Sequence, residues 1–143
     1  MDIGTGSGVA ARILRKNGWD VTAVDPSLDE TSVGHHLGEF EGVHLYPATL
    51  QKLPVELNDT FDIAVYCHFL IPYAERESFF QRLAQLMKTG SVVYLFFAED
   101  DYDILNYGGK LSQLMQNYFK VKSLIQKNEG HGRFTEAQLE KTS

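Results

Sequence analysis

The sequence predicts an α/β fold in which a mostly parallel β-sheet carries helices on both faces and ends in an antiparallel hairpin. Short apolar stretches alternate with amphipathic stretches of helical period, which is the order of a parallel sheet with right-handed crossovers. A glycine-rich stretch, GTGSG, separates the first strand from the first helix. Near the end, residues 119–127 and 133–141 predict two strands joined by a turn over 128–132.

The first strand is predicted to be truncated. Only three residues, 1–3, precede the glycine-rich stretch, whereas a strand in this place commonly has about five. We therefore expect a shortened chain, a start assigned too late, or a sheet completed by another pairing. Such a sheet would leave exposed edges or apolar surface, which favours a homo-oligomer.

The first helix is predicted over 8–17, where the apolar residues recur with helical spacing. Asn17 and Gly18 predict its C-terminal end. One apolar face is expected from four residues: Val9, Ala10, Ile13 and Leu14. A second helix is predicted to open at Ser27, which begins an S-x-x-E capping box, and to be short because two glycines follow within it.

The later elements follow from composition and period. Stretches rich in β-branched and aromatic residues predict strands over 20–25, 43–46, 61–67 and 91–98. A long helix is predicted over 73–87, ended by residues 88–90, with a buried side formed by Phe79, Phe80, Leu83, Leu86 and Met87. A last helix is predicted over 110–118, after a break at Gly108 and Gly109.

Composition and charge limit the class of protein. A chain of 143 residues with 43% apolar and 22% charged residues predicts a single domain, 1–143, with a substantial core. The net charge of −6 argues against a nucleic-acid partner, and no apolar run approaches the roughly 18 residues of a membrane span. The single cysteine and the absence of a signal-peptide pattern predict a cytoplasmic protein with no membrane partner.

The glycine-rich stretch predicts a nucleotide-type pocket. Gly4, Gly6 and Gly8 allow a tight backbone turn that can approach a ligand closely, and the helix that follows directs free N–H groups into the same crevice. A dinucleotide-binding G-x-G-x-x-G loop would need glycine where Val9 stands. An ordinary glycine-containing turn is the alternative.

With Asp2 included, the spacing D-x-G-x-G-x-G resembles motif I of the class I S-adenosylmethionine (SAM) dependent methyltransferases. The resemblance implies a Rossmann-like fold, SAM as cofactor and methyl transfer as the reaction. It implies that Asp2 orients the loop and the amino-acid end of SAM, and that Gly4, Thr5, Gly6 and Gly8 contact the cofactor. Carboxylates suit the cationic ammonium and sulfonium groups of SAM.

Asp25 ends the second predicted strand, where a carboxylate can accept hydrogen bonds from both hydroxyls of a ribose. The resemblance assigns it that role in SAM binding, with Pro26 beside it. The alternative is that Asp25 only caps the helix opened by Pro26 and Ser27.

The loop ATLQKLP resembles the family stretch G-D-A-x-x-L-P, in which the acid commonly meets the adenine amino group. Here Thr49 stands in place of the acid and offers only a hydroxyl. Leu50 is expected to pack on the adenine ring and to offer its backbone N–H. Ordinary loop packing is the alternative for both residues.

Cys67 and His68 end the strand over 61–67, next to the crevice where open α/β sheets bind ligands. We expect both near the cofactor. His68 is a weak candidate for a general base, with a structural role as the alternative, and Cys67 is expected to be a small buried group rather than a nucleophile. The sequence YCHF differs from the N/D-P-P-Y/F signature of amino-methylating DNA enzymes.

The remaining acidic residues and histidines give no specific prediction of a binding site. The acidic loop over 99–103 suits either a cationic substrate or plain solvation. His35, His36 and His44 lack convincing partners for a metal, so no metal site is expected.

The function predicted from these features is SAM-dependent methyl transfer to an unidentified, small-molecule acceptor. The alternative is a truncated or degenerate domain of the same fold, without catalysis, that acts as a binding or assembly module. A nicotinamide-dependent oxidoreductase fits the glycine spacing less well.

Overall fold

The computed structural model describes residues 1–28, 40–67, 71–98, 108–129 and 132–143. The chain falls into two compact units, Met1–Pro54 and Val55–Ser143. The predicted single domain over 1–143 stays a prediction. Four predicted features lie outside the described residues: most of the second helix with His35 and His36, His68, the acidic loop over 99–103, and the tip of the C-terminal hairpin.

Among its described residues, the first unit contains three strands and one α-helix, which are β1 (Asp2–Ile3), α1 (Val9–Lys16), β2 (Thr22–Val24) and β3 (His44–Tyr46). β2 pairs in parallel with both other strands: Ala23 lies opposite Asp2 in β1 and opposite Leu45 in β3. The carboxyl ends of the three strands therefore lie at one edge, which is where parallel sheets place their ligands. The first strand is short, since β1 has two residues.

The predicted apolar face of α1 is wrong in part, although Leu14, one of its four residues, does pack against the core. Val9 and Ile13 are 50% and 52% exposed, whereas Ala11 is fully buried and packs in the core with Val21 and Ala23. The helical period was read correctly, but the small Ala11 faces the sheet because it lets the helix lie close to the strands. Exposed apolar residues are common on protein surfaces, so periodicity alone did not identify the inward side.

The described part of the second unit contains four strands and two α-helices: β4 (Phe61–Tyr66), α2 (Arg76–Leu86), β5 (Met87–Ala98), α3 (Gly108–Gln116), β6 (Lys120–Glu129) and β7 (Gly132–Glu140). β4 and β5 are parallel, whereas β7 is antiparallel to both β5 and β6. The predicted C-terminal antiparallel hairpin is confirmed. The predicted buried side of α2 is also confirmed, since Phe79, Phe80, Leu83, Leu86 and Met87 are at most 2% exposed.

Two predicted boundaries in this unit are wrong. Residues 88–90 do not separate α2 from a strand beginning at Ser91, because β5 already starts at Met87. Backbone hydrogen bonds from Gly90 to Lys141 and from Lys141 to Ser91 extend the sheet across this stretch. Likewise, Gly108 begins α3 rather than preceding it. None of the described helices is both long and apolar enough to cross a membrane.

Candidate cofactor-binding site

The glycine-rich loop connects β1 to α1 through three glycines of left-handed conformation. Gly4, Gly6 and Gly8 have φ angles of 64°, 54° and 89°. The Gly4 N–H donates to the Val24 carbonyl oxygen at 2.7 Å, which ties the loop to the end of β2. A Cβ atom added at Gly6 would meet no atom within 4 Å. The loop therefore borders open space at the carboxyl edge of the strands.

Asp25 lies against this loop, directly after β2. Its Oδ2 accepts the Gly6 N–H at 3.0 Å, and its Oδ1 accepts the Ser27 N–H at 2.9 Å and the Ser27 hydroxyl at 2.7 Å. The structure thus brings Gly6 and Asp25 together, as the sequence predicted. It also gives Asp25 the local turn contacts to Ser27 that the capping alternative anticipated.

The carboxylate of Asp25 retains room for a ligand. An ionised carboxylate can accept about four hydrogen bonds, two on each oxygen. Donors among the described residues use two positions on Oδ1 and one on Oδ2. Rotation of the Ser27 hydroxyl would open a second position, which is the number that two ribose hydroxyls need.

Asp25 is also charged over a wide pH range. Partial burial acts to raise the pKa of its carboxyl, but hydrogen bonds from the Ser27 hydroxyl, the Ser27 N–H and the Gly6 N–H together lower that pKa below 3.8. A charged acceptor forms stronger hydrogen bonds than a neutral one. The side chain is therefore suited to accept hydroxyl groups at neutral pH.

Asp2 lies beneath the loop and is only 1% exposed. Its Oδ2 accepts the Thr5 hydroxyl at 2.6 Å, and its carboxylate also accepts the Ala11 backbone N–H. Thr5 is itself buried, so its side chain faces the interior rather than the open space beside Gly6. Asp2, the acid that the resemblance assigned to the loop, thus contacts the loop from its buried side.

Thr49 and Leu50 follow β3, on the same edge of the first unit. Thr49 is exposed and precedes a 3-10 turn over Leu50–Lys52 without capping it through its side chain. Leu50 is 3% exposed, which fits the loop-packing alternative for its side chain. Thr49 therefore has an exposed hydroxyl that a ligand could contact, whereas Leu50 could contact a ligand only through its backbone groups.

Three further residues were predicted to lie near the cofactor: Pro26, Cys67 and His68. Pro26 is exposed beside Asp25. Cys67 is half-buried and follows β4 in the second unit, while His68 lies outside the described residues. Sequence reasoning treated Ser27 only as the start of a helix, although an Asp-Pro-Ser stretch is itself a signal for a turn in which the acid accepts the N–H two residues later.

No candidate metal site is found in the described part of the chain. Its His, Cys, Asp and Glu residues include no group of three or more that could hold a metal ion. His44 instead approaches Asp20 at 3.2 Å on the surface.

A separate cavity of about 390 Å³ lies in the second unit, between α2 and α3. Arg76, Glu77 and Leu111 are among its lining residues. At its margin, the exposed Tyr118 hydroxyl donates to Glu77 at 2.7 Å, which raises the pKa of Tyr118. This cavity contains none of the residues predicted to bind the cofactor.

A family model described as a methyltransferase domain matches residues 1–95, from β1 into β5. The chain belongs to this methyltransferase family. The match includes the glycine-rich loop, Asp25 and the Thr49 loop. The predicted class I SAM-dependent methyltransferase family is confirmed, and with it SAM as the cofactor of the family.

One curated relative of this chain is the ubiquinone biosynthesis O-methyltransferase of Caulobacter vibrioides. The two are 27% identical over 97 residues, which is 66% of this chain. The matched stretch is 38% of the length of that relative.

Two solved structures are similar to this chain over 99% of its length. One is the 1,6-didemethyltoxoflavin-N1-methyltransferase of Burkholderia thailandensis with bound 1,6-didemethyltoxoflavin and S-adenosylhomocysteine, at 16% identity, a TM-score of 0.78 and 70% coverage of that chain. The other is a mutant 16S rRNA (adenine(1408)-N(1))-methyltransferase of Catenulisporales acidiphilia with SAM. It has 14% sequence identity, a TM-score of 0.75 and 83% coverage of that chain. At these identities the likeness shows the fold alone, and it confirms the predicted Rossmann-like α/β class.

Proposed function

We propose that this chain binds SAM at the carboxyl edge of β1, β2 and β3 and transfers its methyl group to a small-molecule acceptor. The observation that carries the proposal is the 3.0 Å hydrogen bond between the Gly6 N–H and the Asp25 carboxylate. This bond places the glycine-rich turn, which has no side chain at Gly6, beside a carboxylate that can still accept hydrogen bonds. Adenosine needs both the open backbone and the acceptor. The family membership supports SAM as the adenosine-containing ligand.

The residues present fit this cofactor. Asp25 would accept the ribose hydroxyls, and the open space beside Gly6 would admit the ligand against the loop backbone. The exposed Thr49 hydroxyl would face the adenine amino group, with Leu50 contributing its backbone N–H. Asp2 would act from beneath the loop rather than by direct contact, since it is buried.

SAM supplies a methyl group already activated by a sulfonium. The task left to the chain is therefore to bind the cofactor, orient it and exclude water, because alignment of two bound reactants alone accounts for a large part of such rate enhancements. No acid or base among the described residues is required for this step. The roles of Pro26, Cys67 and His68 as neighbours of the cofactor stay proposals.

The acceptor is proposed to be a small molecule. Among the similar proteins, one acts on 1,6-didemethyltoxoflavin and another on 16S rRNA. The net charge of −6 favours the first kind of acceptor, since a nucleic-acid acceptor requires a basic surface to neutralise its phosphates.

We keep a cytoplasmic location as a proposal. Self-association is proposed from the edge strand β6, where Leu124 and Ile125 are 44% and 48% exposed.

Calorimetric titration of the full chain with SAM and, separately, with NADH tests the proposal. We expect saturable SAM binding at one site and no NADH binding. Binding of neither ligand would favour the alternative, a domain of this fold that acts only as a binding or assembly module. Binding of NADH alone would contradict both.

A further inference from the structure

The hydroxyl of Thr5 is committed to a contact beneath the glycine-rich loop. It donates to Asp2 at 2.6 Å, and both side chains are buried. A threonine inside a ligand-binding loop would usually be expected to direct its hydroxyl toward the ligand. Here it points to the strand acid instead, so its contribution must pass through Asp2.

Asp2 connects three parts of the first unit. The residue itself belongs to β1, its carboxylate accepts the Thr5 hydroxyl from the loop, and it accepts the Ala11 N–H from α1. The Ala11 N–H can only donate, and the Thr5 hydroxyl donates in the observed contact, so a carboxylate satisfies both contacts at once, whereas a protonated acid would have to turn its own O–H toward the Thr5 oxygen. The charged form of Asp2 therefore holds strand, loop and helix in one arrangement.

We propose that Thr5 is a positioning residue, whose hydroxyl holds Asp2 in its charged form and thereby fixes the glycine-rich loop for the cofactor. The role rests on the proposed function, because the loop is fixed for a ligand that has yet to be measured. Thr5 is not proposed to touch the cofactor through its side chain.

The charges around Asp2 give this role a pH signature. Burial raises the pKa of Asp2, while the Thr5 hydroxyl, the positive amino terminus and the Ala11 N–H lower it, and the Asp25 carboxylate raises it. The balance lies above 3.8. As pH falls through the pKa of Asp2, the carboxylate takes up a proton and the loop loses its support. Removing the Thr5 hydroxyl should move that loss to higher pH, because one of the groups that lower the pKa is gone.

The test compares Thr5→Val, which keeps the size and branching but removes the donor, with Thr5→Ser, which keeps the donor. Carbon NMR of the Asp2 carboxyl group should show titration at higher pH in Thr5→Val than in the wild type, and near the wild-type position in Thr5→Ser. Thr5→Ala provides the same loss of donor if Thr5→Val does not fold.

SAM affinity measured across pH gives the second readout. At mildly acidic pH we expect Thr5→Val to bind SAM roughly tenfold more weakly than the wild type, with Thr5→Ser close to the wild type, and the gap to narrow as pH rises. Coincident Asp2 titrations in all three proteins, or a serine variant that behaves like the valine variant, would overturn the proposal. If the wild type does not bind SAM, the proposed function fails, while the Asp2 titration still decides the role of Thr5.

Discussion

Replacing Asp25 with alanine is expected to weaken SAM binding about tenfold to a hundredfold, since one or two charge-assisted hydrogen bonds to the ribose would be lost. The same change removes the contacts of Asp25 with Gly6 and Ser27, which lie at the surface and should cost about 1 kcal/mol of stability. Calorimetric titration gives the affinity, and far-UV circular dichroism shows whether the variant is folded.

Ser27→Ala is the matched control for this experiment. It removes the 2.7 Å hydroxyl contact with Asp25 but keeps the backbone N–H contact at 2.9 Å, so the carboxylate stays in place. We expect its SAM affinity to lie within about threefold of the wild type, because only one acceptor position on Oδ1 is freed. Equal affinity of Asp25→Ala and the wild type would show that Asp25 only caps the local turn.

The stability cost of Asp25→Ala should depend on pH in a defined direction. The folded-state pKa of Asp25 is lowered from 3.8, so its charge stabilises the folded protein above that pH and stops doing so as pH falls through the lower folded value. The difference in unfolding free energy between wild type and variant should therefore be largest near neutral pH and vanish in strong acid.

Gly6→Ala is expected to abolish most SAM binding, by at least about tenfold, for two reasons. At a φ of 54° any L side chain is strained by about 1 kcal/mol, and the new methyl group would project into the open space proposed for the ligand. Affinity is measured by titration and stability by urea unfolding.

Gly18→Ala separates these two causes. Gly18 has a φ of 89° and, like Gly6, no atom within 4 Å of an added Cβ, but it lies at the C-terminal end of α1. Both variants should lose a similar amount of stability, and only Gly6→Ala should lose affinity. A Gly18→Ala variant that binds SAM as weakly as Gly6→Ala would show that backbone strain, rather than occupied ligand space, explains the loss.

Much of the fold followed from local sequence. The strand at Phe61–Tyr66 and the buried side of α2 were predicted correctly, because apolar period and β-branched composition report burial over short distances. The pairing of the glycine-rich loop with Asp25 was also predictable, since both follow strands that are neighbours in a parallel sheet.

Other features depend on contacts that short stretches cannot report. The early start of β5 relies on hydrogen bonds with Lys141, about fifty positions further along the chain, which override the breaking tendency of Gly90. The burial of Ala11 rather than Val9 depends on which side of α1 meets the sheet. The inward direction of the Thr5 hydroxyl depends on the space beneath the loop, so the sequence predicted a residue of the site but not its partner.

The most direct test of the account is amide chemical-shift mapping of the isotope-labelled full chain during titration with SAM. If the adenosine lies between the glycine-rich loop and Asp25, the largest shifts should fall on residues 4–8, Asp25, Ser27 and Thr49. Shifts confined to the residues around the cavity between α2 and α3, with Gly6 and Asp25 unmoved, would contradict it.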